Sequence, residues 1–226
     1  MDQPVPSNAY GRYCLPEGLD TRPAVKAVRA GEVYEPQTIA FMRAHAGHGD
    51  VVHAGTFFGD FLPGVAAALA PGARLWAFEP NPGSYACAVE TLRLNALENV
   101  TLTNVGLSNA EETLHFRTHD EEGAPLGGLS HVTEASGPGV TPVQAAMLDF
   151  AIPRERQVSI LQLDVEGHEK RALKGAYHLI HRCRPILILE NHGNETWIQR
   201  TFRGLGYRVC GKLHGNFVYA TEDLEL

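Results

Sequence analysis

Val51-Val52-His53-Ala54-Gly55-Thr56-Phe57-Phe58-Gly59-Asp60 is followed, some way along the chain, by Ala77-Phe78-Glu79-Pro80-Asn81-Pro82. An apolar strand runs into a turn with two glycines. A helix follows, and then a second apolar strand that ends in an acid. Glycine lets a backbone pass close to a ligand, and an acid after the second strand can accept both hydroxyls of a ribose. The pair of segments therefore reads as a nucleoside pocket on an α/β fold.

The elements around this core extend the pattern. A short helix is expected around Ala24 to Arg29, and a second from Pro36 to Ala46, where Ile39, Met42 and Ala46 share one face. From Asp50 onward strands and helices alternate. Val51 to Ala54 is a strand, and Leu62 to Leu69 a helix with Pro63 in its first turn. Leu75 to Phe78 is a strand, and a helix capped by Ser84 runs to Leu94. Strands are expected at Val100 to Val105, Val158 to Leu163 and Pro185 to Leu189, with one helix from Glu169 to His181. Tyr207 to Cys210 and Asn216 to Ala220 read as a closing antiparallel pair. The rhythm breaks over residues 108–148, where Thr113, Leu114, His115 and Phe116 look strand-like. This glycine-punctuated polar stretch is expected to be a loop or hairpin insertion that covers the pocket and touches the second substrate.

Such alternation implies a Rossmann-like α/β fold: a mostly parallel central sheet, helices on both faces, and the antiparallel pair at its C-terminal end. Ligands bind beyond the carboxyl ends of such strands. His53, Glu79, Asn104, Asp164 and Glu190 all fall at those ends, so polar groups from separate strands converge on one crevice. Residues 1–49 read as an N-terminal helical extension, and 50–226 as the main domain.

Composition narrows the partners. The chain has 226 residues, and 26 acids against 19 bases give a formal charge of -7, which argues against broad binding to nucleic acid. Cys14, Cys87, Cys183 and Cys210 form no C-x-x-C pair and read as reduced thiols. The sequence has no apolar run of membrane-spanning length and no signal-peptide pattern at its start, so a cytoplasmic location without a membrane anchor is expected. Assembly with further copies of the chain stays open.

The loop is Gly55-x-x-x-Gly59, without the third glycine of a dinucleotide fingerprint, and Asp60 stands at the start of the next helix. A pyrophosphate wants a helix terminus free of carboxylates. S-adenosylmethionine carries an ammonium and a sulfonium and tolerates the acid better. His53, Gly55, Phe57, Gly59, Asp60, Glu79, Pro80, Asn81 and Asn104 are the expected cofactor contacts. Phe57 and Phe58 serve either as pocket walls or as core.

The block from Val51 to Asn81, the Asn95-x-x-x-Asn99-Val100 segment, Leu163-Asp164-Val165-Glu166-Gly167-His168-Glu169 with Leu173-x-Gly175-Ala176, and Arg184-Pro185 through Glu190 together resemble the FkbM family of S-adenosylmethionine-dependent methyltransferases. The resemblance implies a class I methyltransferase fold and methylation of a hydroxyl on a sugar, glycan or secondary metabolite. The acceptor is then a small molecule or glycan. Gly55 and Gly59 match the family's cofactor loop, Glu79 its ribose acid, and Asp164 and Glu166 its acidic motif. The family usually has an acid at the position of His53, where it helps to hold the methionine end of the cofactor.

Hydroxyl methylation needs a base or a metal. Asp164 is the first candidate base, the alternative being a cap on the turn before Gly167. His192 is the second candidate, and Glu190 closes the neighbouring strand. A divalent cation on Asp164, Glu190 and Asn191 is a weaker expectation than two hydrogen-bonded acids. His168 reads as the exposed start of a helix, and Glu35 as a helix-start acid within reach of the methionine end. The rival readings are an NAD-dependent oxidoreductase on the same fold and a non-catalytic nucleoside-binding protein with a decayed pocket.

Overall fold

The computed structural model describes residues 4–190 and 194–226. Two short helices come first, α1 (Pro23–Arg29) and α2 (Pro36–His45). The alternating part then runs β1 (Asp50–Ala54), α3 (Leu62–Ala66), β2 (Leu75–Phe78), α4 (Pro82–Leu94) and β3 (Val100–Thr103). Four further strands follow: β4 (Gly106–Leu107), β5 (Glu112–Arg117), β6 (His131–Val132) and β7 (Val140–Ala146). The chain continues through α5 (Leu148–Ala151), β8 (Val158–Leu163), α6 (Glu169–Lys174), α7 (Tyr177–Cys183) and β9 (Ile186–Leu189). It ends with α8 (Glu195–Thr201), β10 (Arg208–Leu213) and β11 (Asn216–Ala220).

The main sheet has the order β10-β11-β9-β8-β1-β2-β3. β3, β2, β1, β8 and β9 are parallel, and β11 and β10 complete the sheet antiparallel. From β1 the chain moves outward to β2 and β3, then returns to lay β8 on the other side of β1. That reversal opens a crevice at the carboxyl ends of β1 and β8.

Alternation along β1 explains the two layers of helix. Val52 and Ala54 face one core with Leu161 and Leu163, covered by Ala172, Leu173, Leu179 and Ile180. Val51 faces the other with Leu75 and Ile160, covered by Ile39, Met42, Leu62 and Val65. β1 is buried along its whole length, as a central parallel strand must be.

A buried acid anchors the start of β1. Asp50 accepts the Arg156 guanidinium at both oxygens, the Trp76 Nε1–H at 2.7 Å and the Arg74 amide at 2.9 Å. It thus ties β1 to β2 and to the segment before β8.

Several local expectations change. Asn81, not Ser84, caps α4, accepting the amides of Gly83 and Ser84, because Pro82 already occupies the first helical position. α3 stops at Ala66, short of Leu69. β3 ends at Thr103, before Val105. The expected helix from Glu169 to His181 is two helices. Gly175 lies so close to Ser108 that a Cβ would stand 1.9 Å from the Ser108 carbonyl oxygen. After this break the Asp149 carboxylate accepts the amides of His178 and Leu179, capping α7 from a distant point in the sequence.

Of the two forms expected for residues 108–148, a loop or a hairpin insertion, the structure has antiparallel strands. With β4 just before it, the stretch supplies β5, β6 and β7 of a second, four-stranded sheet of order β4-β7-β5-β6. Leu114 and Phe116 of β5 and Val143 and Ala145 of β7 form its buried face. The polar residues between them, His115 and Gln144, face outward, which is why the stretch looks polar in sequence. No helix among the described residues is long and apolar enough to cross a membrane.

Burial raises the Asp50 pKa, but the hydrogen bonds from Arg156, Trp76 and Arg74 outweigh it and hold the group below its ordinary value. The folded pKa is then lower than the unfolded one. Its stabilisation is complete above about pH 4 and is lost as pH falls through the folded value. Urea unfolding should show Asp50→Asn destabilised by about 3 kcal/mol at pH 7, with the gap to wild type shrinking toward pH 3. A gap that does not depend on pH would contradict this.

Candidate active site

The carboxyl ends of β1, β2, β8 and β9, together with the second sheet and the segment around α1 and α2, enclose one cleft. Gly55 sits at its floor. Its φ is +81°, its amide donates to the Phe78 carbonyl at 3.0 Å, and a Cβ there would stand 1.7 Å from the Asp164 carbonyl oxygen. Only glycine fits between the ends of β1 and β8.

Glu79 leaves β2 and turns back over that loop. Its Oε2 accepts the Phe57 amide at 2.7 Å and its Oε1 the Asn81 amide at 2.8 Å. Phe57 itself has φ +52°. Its ring packs on Gly127 and Gly128 of the second sheet's connection and meets Phe58 edge-on, so it is both wall and core. Phe58 is wholly buried core.

Eight of the expected residues line the cleft: His53, Gly55, Phe57, Asp60, Glu79, Pro80, Asp164 and Glu190. Three do not. Gly59 forms the turn behind the wall, its amide bonded to the Thr56 carbonyl at 2.8 Å. Asn81 is used as the α4 cap and donates to Ser130 Oγ at 3.0 Å. Asn104 donates to the carbonyls of Glu79 and Pro80 at 2.7 and 3.2 Å, so it holds the backbone that carries the Glu79 carboxylate. His192, with Asn191, lies outside the described residues.

The cleft has further wall residues beyond the expected contacts. Tyr34, Gln162 and Glu166 line the cleft. His168, read as exposed, is half-buried on the same wall. Glu35 immediately precedes α2, as a helix-start acid does, and it also lines the cleft, as the alternative reading of it requires. Glu166 had a visible signal, since its acidic motif is legible, and it has the left-handed φ of +50° in the loop after β8. Tyr34 and Gln162 had none.

The cleft is electrostatically uneven. Burial pushes Glu79 up to about 8, only partly offset by the Asn81 and Phe57 amides. Burial likewise raises Asp60 to about 7. His53 is buried and driven down to about 4, so it is neutral; its Nδ1 bonds the Gln162 amide oxygen and its ring stacks on Phe61. Asp164 is raised well above its ordinary range by burial and then by the charges of Glu190 and Glu166, and it shares a hydrogen bond with Glu190. Burial and the neighbouring Glu190 and Glu169 lift Glu166 to about 7. Carboxylate oxygens of Asp164, Glu166 and Glu190 lie within 4.8 Å of one another. Such an oxygen set either shares protons or takes a hard divalent cation.

Opposite the acids, Leu107, Leu114, Phe116, Val132 and Val143 give the cleft an apolar wall. Pro80 and Leu114 flank Gly106, each 3.8 Å from where its Cβ would be, so Pro80 and the second sheet border the same end of the cleft.

Gly55 and Gly72 both have positive φ, but nothing lies within 4 Å of a Cβ at Gly72. Gly72→Ala should therefore cost only the backbone strain, about 1–2 kcal/mol. Gly55→Ala should cost more than about 3 kcal/mol, because it also drives a methyl into Asp164. Thermal or denaturant unfolding of both variants checks this, and equal losses would refute the contact.

Solved structures similar to this chain include methyltransferases. One is the methyltransferase FkbM of Methylobacillus flagellatus KT, with a TM-score of 0.52 and 18% identity over 76% of this chain and 43% of that one. This chain therefore spans less than half the length of that relative. Another is a methyltransferase of Geobacter sulfurreducens, with a TM-score of 0.48 and 15% identity over 91% of this chain and 90% of that one. No curated protein matches the chain in sequence. The model of the methyltransferase FkbM domain matches residues 50–209, which hold the glycine loop, Glu79, Asp164 and Glu190. The chain belongs to the FkbM methyltransferase family.

Proposed function

We propose that the chain transfers the methyl group of S-adenosylmethionine to a hydroxyl of a sugar, glycan or secondary metabolite. One observation carries the reading. The Glu79 carboxylate faces the Gly55 loop within a cleft that has an apolar wall on one side and acids on the other. A ribose fits at Glu79, which keeps free lone pairs beyond its two amide contacts. Adenine fits between Pro80 and the apolar face of the second sheet. The segment expected to touch the acceptor thus serves the cofactor's base in this reading.

Charge supports a methyl donor over a dinucleotide. Six carboxylates line the cleft, from Glu35, Asp60, Glu79, Asp164, Glu166 and Glu190, against one guanidinium, that of Arg22. Such a wall suits a ligand with a sulfonium and an ammonium and repels a pyrophosphate.

S-adenosylmethionine supplies an electrophilic methyl on a sulfonium that leaves as a neutral thioether. The protein's part is alignment and proton removal. Asp164 sits at the end of β8 against the Gly55 backbone, so it is next to the reacting end of a nucleoside held at Glu79. Its raised pKa makes it a stronger base than an ordinary carboxylate once deprotonated. The acceptor proton passes to an Asp164 carboxylate oxygen, and the hydrogen bond to Glu190 spreads the charge that changes there. The neighbouring Glu166 and Glu190 provide acceptors for further hydroxyls of a polyol.

Thermal shift with S-adenosylhomocysteine and with NAD tests the cofactor class. Stabilisation by S-adenosylhomocysteine alone is expected; stabilisation by NAD alone would replace the reading with a dehydrogenase. Glu79→Ala should weaken S-adenosylhomocysteine by at least about tenfold, from the loss of charge-assisted hydrogen bonds.

The base has its own signature. Asp164 must be deprotonated to act, so turnover should rise with pH through a range well above that of a free carboxylate. Asp164→Asn should cut turnover by about 100-fold or more and leave S-adenosylhomocysteine affinity within a few-fold. Unchanged turnover in that variant would remove Asp164 from the chemistry.

A further inference from the structure

We infer that the ammonium of the cofactor's amino-acid end is held by Glu35 and Asp60, two carboxylates brought in from outside the strand ends. The inference rests on the methyl-donor reading above. With adenine beside Pro80 and ribose at Glu79, the rest of the cofactor runs along the Gly55 loop toward His53, Asp60, Phe61, Tyr34 and Glu35. An ammonium there needs an anionic acceptor. The end of β1 does not provide one, because His53 is buried and neutral.

Asp60 and Glu35 fill that gap from two directions. Asp60 is buried at the entry to α3, where the amides of Asp60 and Phe61 steady its carboxylate. Glu35 comes from the other side, at the left-handed residue (φ +46°) that precedes α2. Its Oε2 accepts Thr38 Oγ1–H at 2.9 Å and Asn216 Nδ2–H at 2.7 Å. Thr38 and Asn216 are themselves buried, so α2 and β11 fix this carboxylate in place. Among the described residues, both hydrogen bonds to Glu35 end on that one oxygen, which leaves Oε1 for a ligand.

Two features say that a cation belongs between them. Neighbouring negative charge bears on both carboxylates: Glu35 acts on Asp60, Glu190 acts on Glu35, and Asp60 in turn acts on Glu79. Among the described residues neither Glu35 nor Asp60 pairs with a lysine or arginine, although His214 lends Glu35 some positive charge. Independently, His53 Nε2 is a buried polar atom with no hydrogen-bond partner among the described residues, on the wall of the same cleft. A left-handed non-glycine residue and an unpartnered buried nitrogen are both costly, and such features collect where a ligand is bound.

Titration calorimetry with two ligands tests the assignment. S-adenosylhomocysteine carries the ammonium; 5′-methylthioadenosine keeps the nucleoside and lacks the amino acid. Glu35→Gln and Asp60→Asn should each weaken S-adenosylhomocysteine by at least about tenfold and leave 5′-methylthioadenosine within twofold. Parallel weakening of both ligands, or no change for the first, would overturn the assignment. The wild-type protein gives a second test that needs no variant. It should bind the desamino analogue of S-adenosylhomocysteine at least about tenfold more weakly than the parent. Equal affinity for the two would overturn the assignment while leaving the methyl-donor reading intact. Failure of wild type to bind either S-adenosylhomocysteine or 5′-methylthioadenosine would instead remove the reading on which it rests.

Discussion

The buried Glu79 carboxylate is the junction on which the rest of the site depends. It takes one amide from the loop after β1 and one from the turn that opens α4. A carboxylate removed from water is costly unless its oxygens are satisfied, and here the satisfying donors are backbone groups of the two segments that must stay together. Asn104 then fixes the Glu79 and Pro80 carbonyls from the end of β3. Three strand ends are thereby locked around one acid. On the other side of β1, the contact between Gly55 and Asp164 brings β8 to the same point. The positions of Glu79, the Gly55 loop and Asp164 follow from a single set of packed strand ends.

Much of this was legible because it is local. Residues 50–105 alternate apolar runs with glycine and proline breaks, and the structure keeps each strand and helix there to within a few residues. The mostly parallel sheet with helices on both faces follows from the same alternation, and the antiparallel end from the two strands that close the chain. What the sequence hid depends on distant partners. Nothing near Gly175 shows that Ser108 will press against it, or that Asp149 will cap the helix that starts beyond it. The second sheet was hidden because its strands bury one face only. Half their residues stay polar, and glycines separate them.

The site divides the same way. Acids at strand ends could be found by position, which is why Glu79, Asp164 and Glu190 appear together in the cleft. Glu166 was visible as part of a motif but had no strand end to place it. Glu35 and Tyr34 come from the segment before the first strand, and only the packing of α2 against α3 and β8 carries them to the crevice. Conversely, Gly59, Asn81 and Asn104 sit where a ligand contact is expected, yet the structure uses them for a turn, a helix cap and a backbone brace. Position along a strand identifies a neighbourhood; which side chain meets the ligand is settled by what else in that neighbourhood needs a hydrogen bond.

The resulting cleft has an apolar side and an acidic side, with a neutral imidazole where the first strand ends. Buried acids with elevated pKa values store electrostatic cost that a cationic ligand relieves. The most direct measurement is the crystal structure of the chain with S-adenosylhomocysteine bound. The ribose hydroxyls are expected within hydrogen-bonding distance of the Glu79 carboxylate, with the sulfur facing Asp164. A nucleoside bound elsewhere, or a ribose turned away from Glu79, would contradict the assignment of this cleft as the methyl-donor site.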